Sequence, residues 1–243
     1  MSSKPWWHPD ALAKRRPALA MRGRVLAALR GYFAEQGFAE VETPCLQSAP
    51  GTEPHITALA TELKDPLGGT RRLYLHSSPE FAMKKLMVGG VERLYQVAHV
   101  WRDGERSPVH HPEFTLLEWY RAHQGYETLM EDCAALLRLA AAAAGTGELR
   151  YRQRRCDPAR TAERLSVAAA FARHCGIDLL ATAPDPLAPD PALLAAEARR
   201  IGLFVSERDS WEDVFFRIML ERIEPHLGDG AATFLYEYPL SMA

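Results

Sequence analysis

Apolar positions recur at helical spacing from Leu19 to Gln36. Met21, Val25, Leu26, Leu29, Tyr32 and Phe33 share one side, so the pattern predicts a helix that Gly37 ends. The next residues, "FAEVETP" from Phe38 to Pro44, alternate apolar and polar and predict a half-buried strand that the proline stops. Two more strands are expected at Thr57 to Leu63 and Arg71 to Leu75, joined by the turn residues Asp65 to Gly69. "SSPEFAMKKLMVGG" predicts a helix with Ser77 or Ser78 as its cap and Gly89-Gly90 at its end. Its Phe81, Met83, Leu86 and Met87 would face a core, leaving Lys84 and Lys85 to water or to an anion. "RLYQVAHVWR" and "PEFTLLEWYR" read as two long strands, and the polar loop between them predicts an antiparallel hairpin. A helix from Tyr126 to Ala144 follows.

The texture changes at Gly145. "RYRQRRCDPARTAERL" is basic and reads as irregular. A short helix over "LSVAAAFARHCG" is expected to run from Ser166 to Gly176, and "TAPDPLAPDP" is a proline-rich connection. "ALLAAEARRIG" and "SWEDVFFRIMLERIEPHLG" predict two further helices, and "ATFLYEYP" a last strand. That strand either closes an edge of the earlier sheet or lacks the strands that should pair with it. The whole predicts an α+β chain.

Composition adds exclusions. A net charge of -2 over 243 residues offers no global basic field to gather nucleic acid. No long uncharged apolar run could span a membrane, and the N-terminus lacks the apolar block of a secretory signal. Cys45, Cys133, Cys156 and Cys175 have no paired spacing and fit free thiols in a reducing cytoplasm.

Strand alternation sorts the hairpin's chemistry. Phe114, Leu116, Glu118 and Tyr120 share one face, while Glu113, Thr115, Leu117, Trp119 and Arg121 share the other. On the preceding strand Leu94, Gln96, Ala98, Val100 and Arg102 share a face, so a regular hairpin brings Arg102 near Phe114 and Glu118. An arginine, a ring and a carboxylate together suit a phosphate, a flat base and an amine. A partly exposed sheet with a salt bridge gives the same pattern and is the commoner case. His110, His111 and Glu113 could be read as metal ligands, but neighbours on a strand point apart and chelate one ion poorly. Ser77 and Ser78 fit helix capping better than a nucleophile's role, since no G-x-S-x-G elbow is present. Neither glycine-rich phosphate loop occurs, so a nucleotide would be held on another kind of fold.

Together these pieces resemble a known family. "GFAEVETPCL", after its long helix, resembles motif 1 of class II aminoacyl-tRNA synthetases. "YLHSSPEFAMKKLMVGGVERLYQVAHVWRDGE" followed by "HHPEFTLLEWYR" resembles motif 2 of the lysyl subgroup. The wording is more similar still to the elongation factor P lysine ligases, short paralogues of lysyl-tRNA synthetase. The resemblance covers nearly the whole chain and starts near residue 20, which leaves no room for an anticodon-binding domain and argues against tRNA as a partner. It implies one catalytic domain over residues 1–243, an antiparallel sheet flanked by helices, with residues 145–232 a mostly helical insertion.

The resemblance also implies roles. Ser78, Pro79 and Glu80 match the amino-acid-binding segment, and Glu118 and Tyr120 match residues facing a lysine-like substrate. Arg102 matches the catalytic arginine that holds the α-phosphate of ATP. Asp103, Gly104, Glu105, His111 and Phe114 stand at ATP-contact positions, Phe114 being the ring that stacks on adenine. Two of these depart from the family, with Gly104 where relatives often carry Glu and His111 where some carry Asn. The implied activity is ATP-dependent adenylation of lysine or (R)-β-lysine, with Mg2+, and transfer to a lysine of elongation factor P. A homodimer through the first helix and motif 1, in the cytoplasm, is implied as well. The glycine-rich third motif of the class is absent from the 243 residues. That predicts a sheet incomplete at the C-terminus and weak or absent adenylation by this polypeptide. Two alternatives stay open: a fragment of a lysyl-tRNA synthetase, and a catalytically impaired binding or regulatory paralogue.

Overall fold

A computed structural model describes residues 4–49, 51, 53 and 55–242. They divide into two compact units, one spanning Leu26–Thr128 and the other combining the residues up to Val25 with those from Leu129 onward. The elements are helices and mixed, mainly antiparallel sheets, an α+β fold.

The first helix, α1, runs Pro9–Glu35, ten residues earlier than the apolar pattern indicates. "PDALAKRRPA" carries no apolar stripe, so periodicity could not mark it. The expected apolar face is also shallow, with Phe33 the residue of α1 that becomes fully buried. Gly37, at φ +73°, ends the helix in the left-handed conformation that costs glycine nothing. Strand β1 is only Ala39–Glu40, shorter than "FAEVETP" promised, and the unforeseen β2 is Leu46–Gln47. Strands β3 (Ala60–Lys64) and β4 (Thr70–Leu75) form the expected hairpin, and β2 pairs with β4 on its other side. Asp65 holds the β3–β4 turn by accepting the Leu67 N–H at 2.7 Å. Helix α2 covers Glu80–Val88; it buries Met83 but leaves Phe81 exposed, against expectation.

Strands β5 (Arg93–Trp101) and β6 (Glu113–Arg121) make the long antiparallel hairpin, and β1 joins the far edge of β5 in parallel. On one face of this sheet the Phe33 ring stacks on Tyr95 with centroids 4.4 Å apart, and Phe38 meets Phe33 edge-on at 5.0 Å. The opposite face carries the candidate site.

The second unit begins its own elements with α3, which starts at Tyr126 and ends at Ala144. The basic segment is not irregular. It forms a tight hairpin of β7 (Leu149–Tyr151) and β8 (Arg154–Cys156), then β9 (Glu163–Ser166). Helix α4 (Val167–Cys175) is capped by Ser166, whose Oγ accepts the Ala169 N–H, and it ends at left-handed Gly176. Helices α5 (Pro191–Arg200) and α6 (Trp211–Ile218) follow. Asp190 caps the first; Ser210 and Asp213 form a reciprocal capping box at the second. The helix foreseen to Gly228 loosens after Ile218 into a wide turn and a short tight one that contains Pro225.

The final strand, β10 (Thr233–Tyr236), fits neither expectation for it. It pairs in parallel with β9, some seventy residues earlier. Phe171, Trp211 and Phe215 centre this unit's core, with Phe215 stacked on Phe171 at 5.1 Å and on Trp211 at 5.4 Å. Phe215→Ala is therefore expected to cost about 3–5 kcal/mol, read from the shift of a urea unfolding midpoint.

Candidate active site

The β5–β6 register sets the site. Gln96 lies opposite Glu118, Ala98 opposite Leu116 and Val100 opposite Phe114. One step past β5, the Arg102 N–H bonds the Pro112 carbonyl, so the pairing extends to bring Arg102 beside Phe114. The Arg102 guanidinium carbon lies 5.1 Å from the centre of the Phe114 ring. Its Nε donates to the Ser77 carbonyl at 3.4 Å, and Glu105 stands 3.8 Å from its Nη1. This end of the face offers a half-buried cation and a ring.

At the other end, Glu118 accepts two hydroxyl hydrogen bonds. Ser78 Oγ donates to Oε2 at 2.6 Å, and Tyr120 Oη donates to Oε1 at 2.5 Å. Ser78 Oγ also receives the Glu80 N–H at 3.1 Å, tying the start of α2 to β6. Glu80 is bound by Lys84 at 2.6 Å, four residues on along the helix. Lys84 thus serves Glu80. Among the described residues no cation comes within ion-pair distance of Glu118. Hydroxyls soften the cost of its charge without cancelling it.

Tyr120 feels that charge. Burial first, then the hydrogen bond to Glu118 and the charges of Glu118 and Glu80, push its phenol far above the usual range. It therefore stays a proton donor at any physiological pH. A phenol whose folded pKa is raised gives stability that is whole below the unfolded value near ~10 and is lost as pH rises above it. Tyr120→Phe is expected to lose about 1–2 kcal/mol at neutral pH and less above ~pH 10, where ionisation of this phenol in the unfolded chain draws wild type toward unfolding. Urea midpoints taken from neutral to alkaline pH check both the loss and its narrowing.

The remaining expected residues are arranged less tightly. Pro79 is the residue at the N-cap of α2. Asp103 donates its N–H to the Thr57 carbonyl at 2.7 Å and takes the Gly104 N–H on its side chain at 2.9 Å. His111 is exposed and uses Nδ1 on the Glu113 backbone at 2.8 Å. Glu113 lies on the opposite face and meets His99 at 3.5 Å. The two carboxylates of this strand therefore have separate surroundings.

Two residues went unassigned on the sequence. Lys84 shows its role through i,i+4 spacing from Glu80. Gln96 is 4% exposed, sits across from Glu118 and accepts the Thr43 hydroxyl at 3.0 Å. Its place on the Arg102 face was visible in the alternation.

Comparison with known proteins is consistent with this geometry. The family profile of the class II tRNA synthetases (D, K and N) matches residues 11–242. The whole chain aligns, at 32% identity, with 68% of an elongation factor P–(R)-β-lysine ligase of Enterobacter sp. (strain 638). It aligns at 33% identity, again over 68% of the relative, with proteins of the same name from Salmonella paratyphi B and Salmonella enteritidis PT4.

Proposed function

Because this chain belongs to the class II tRNA synthetases (D, K and N), we propose that it is an ATP-dependent ligase for elongation factor P. It activates lysine or (R)-β-lysine as an adenylate and passes the aminoacyl group to a lysine of that protein. The observation that carries this reading is Glu118, a half-buried carboxylate held by two hydroxyls and paired with no cation among the described residues. An ammonium group on the substrate supplies the missing charge. The relatives' names favour the ligase over a fragment of a lysyl-tRNA synthetase.

In the first step a substrate carboxylate oxygen attacks the α-phosphorus of ATP. The bond from that phosphorus to the bridging oxygen breaks, and pyrophosphate leaves with the electron pair. Arg102 balances the charge that grows on the α-phosphate oxygens. Phe114 offers a face to the adenine, a contact of about 1–3 kcal/mol. Ser78, Glu80, Glu118 and Tyr120 hold the amine end, and Asp103, Gly104, Glu105 and His111 line the nucleotide side. In the second step the acceptor ε-amine attacks the carbonyl carbon, AMP departs, and the amine loses a proton to solvent. No enzyme nucleophile is needed.

Mg2+ belongs to this proposal as a companion of ATP. The described residues gather no group of three or more carboxylates, histidines or cysteines able to hold a metal ion. No step above is routed through the metal.

Residues 145–232 are, in this reading, a mostly helical insertion in one catalytic domain. Homodimerisation through α1 is supported by its exposed Leu19 and Met21, at 56% and 39%. A cytoplasmic location fits four free cysteines. No helix among the described residues is long and apolar enough to cross a membrane.

The test is ATP–pyrophosphate exchange dependent on lysine or (R)-β-lysine, then transfer of the labelled aminoacyl group to elongation factor P. Exchange and transfer both absent from the purified chain would overturn the reading and leave standing the expectation of weak or absent adenylation.

A further inference from the structure

The β7–β8 hairpin breaks two local rules of folding within six residues. Its register sets Arg150 directly across from Arg155, a like-charge pair that opposes strand pairing. At its tip Arg152 holds φ at +55°, in the left-handed region where glycine or asparagine is the low-cost residue for a two-residue turn. Beside it Tyr151 is 62% exposed, with the guanidinium carbons of Arg152 and Arg154 at 5.3 and 5.9 Å from its ring centre.

Acidic compensation is thin. Glu148 reaches Arg150 at 2.7 Å and Arg155 at 3.3 Å. It is the one carboxylate within ion-pair distance of these four arginines among the described residues. Arg154 is tied to the main-chain carbonyls of Glu224 and Leu227, which leave its charge in place. Three-residue strands gain little by pairing, so a crowded and strained hairpin is poorly explained as a stabilising element. Local rules broken together mark a functional surface.

We propose that this hairpin docks an acidic patch on a protein partner, the acceptor of the ligase reaction. The proposal rests on the function proposed above. Its size favours a protein over a nucleic acid: the basic patch is one hairpin in a chain of net charge -2 and pI about 6.5. That net charge gives no global basic field for a polyanion to follow. A cluster of carboxylates on a folded partner matches its extent. Arg150 and Arg155 can each take a carboxylate through two parallel N–H bonds. Exposed Tyr and Arg are also the residue types that protein interfaces favour.

The test measures binding of the full chain to elongation factor P at low and at physiological salt. Arg150→Gln/Arg155→Gln is expected to raise Kd about tenfold or more and to flatten the salt dependence. Arg152→Gly should weaken binding several-fold while Tm holds or rises, because the substitution relieves the backbone at the tip. Lysine-dependent ATP–pyrophosphate exchange should be equal in all three proteins. Unchanged Kd in the variants would overturn the proposal, as would normal exchange by a native chain that does not bind elongation factor P. Loss of affinity for an RNA homopolymer with binding of elongation factor P intact would overturn it in favour of nucleic acid. Hairpin-dependent binding without exchange would support the docking surface and count instead against the activity.

Discussion

Glu118→Gln is expected to lower kcat/KM for the amino-acid substrate in ATP–pyrophosphate exchange by about 10²–10³-fold. The substitution keeps the shape of the side chain and removes its charge. Glutamine has one acceptor oxygen, so it can satisfy Ser78 or Tyr120 but not both as Glu118 does. The larger loss falls on the substrate ammonium, which would be buried against a dipole in place of a carboxylate. Removing one partner of such a pair costs about 3–5 kcal/mol. The effect should appear mainly in KM for lysine, with KM for ATP close to wild type. A variant that lost ATP affinity and kept lysine affinity would place Glu118 at the wrong end of the site.

Arg102→Ala should act on the opposite term. Its guanidinium meets charge that develops during attack, so kcat is expected to fall about 10²–10³-fold while KM for the amino acid changes little. Arg102→Lys should recover little of this. Arg102 reaches the Ser77 carbonyl, Glu105 and the Phe114 face at once, and a point charge on a flexible stem cannot repeat that geometry. Single-turnover adenylate formation separates the two variants. A change confined to KM would remove Arg102 from its transition-state role.

The site was far more legible than its surroundings. Alternation with period two put Phe114, Glu118 and Tyr120 on one side, and the hairpin added Arg102 without any long-range information. The helix α2 was legible but its cap was not: Pro79, and neither Ser77 nor Ser78, stands at the N-cap, and Ser78 Oγ takes the Glu80 N–H from one residue earlier. The failures share a cause. β7, β8 and β9 are three or four residues long, too short for any period, and their sequence looks like a basic loop. β10 was visible as a strand, but its partner lies far back in the chain and no local signal names it. The early start of α1 went unseen because those residues are helical without burying an apolar stripe. His111 keeps its Nδ1 on the Glu113 backbone, a local hydrogen bond that no period in the sequence announces.

The pairing of Lys84 with Glu80, which leaves Glu118 with hydroxyl donors and no ion-pair partner among the described residues, has a consequence for which amino acids are refused. Leucine or methionine could fill a lysine-length space by shape. Either would displace water from Glu118 and offer its charge nothing in return. Rejection then arises from the penalty on the wrong ligand more than from attraction to the right one, and a site of this kind can discriminate well beyond what one methylene of fit provides. On the proposed function, a basic amino acid is admitted because the protein, left to itself, is one positive charge short.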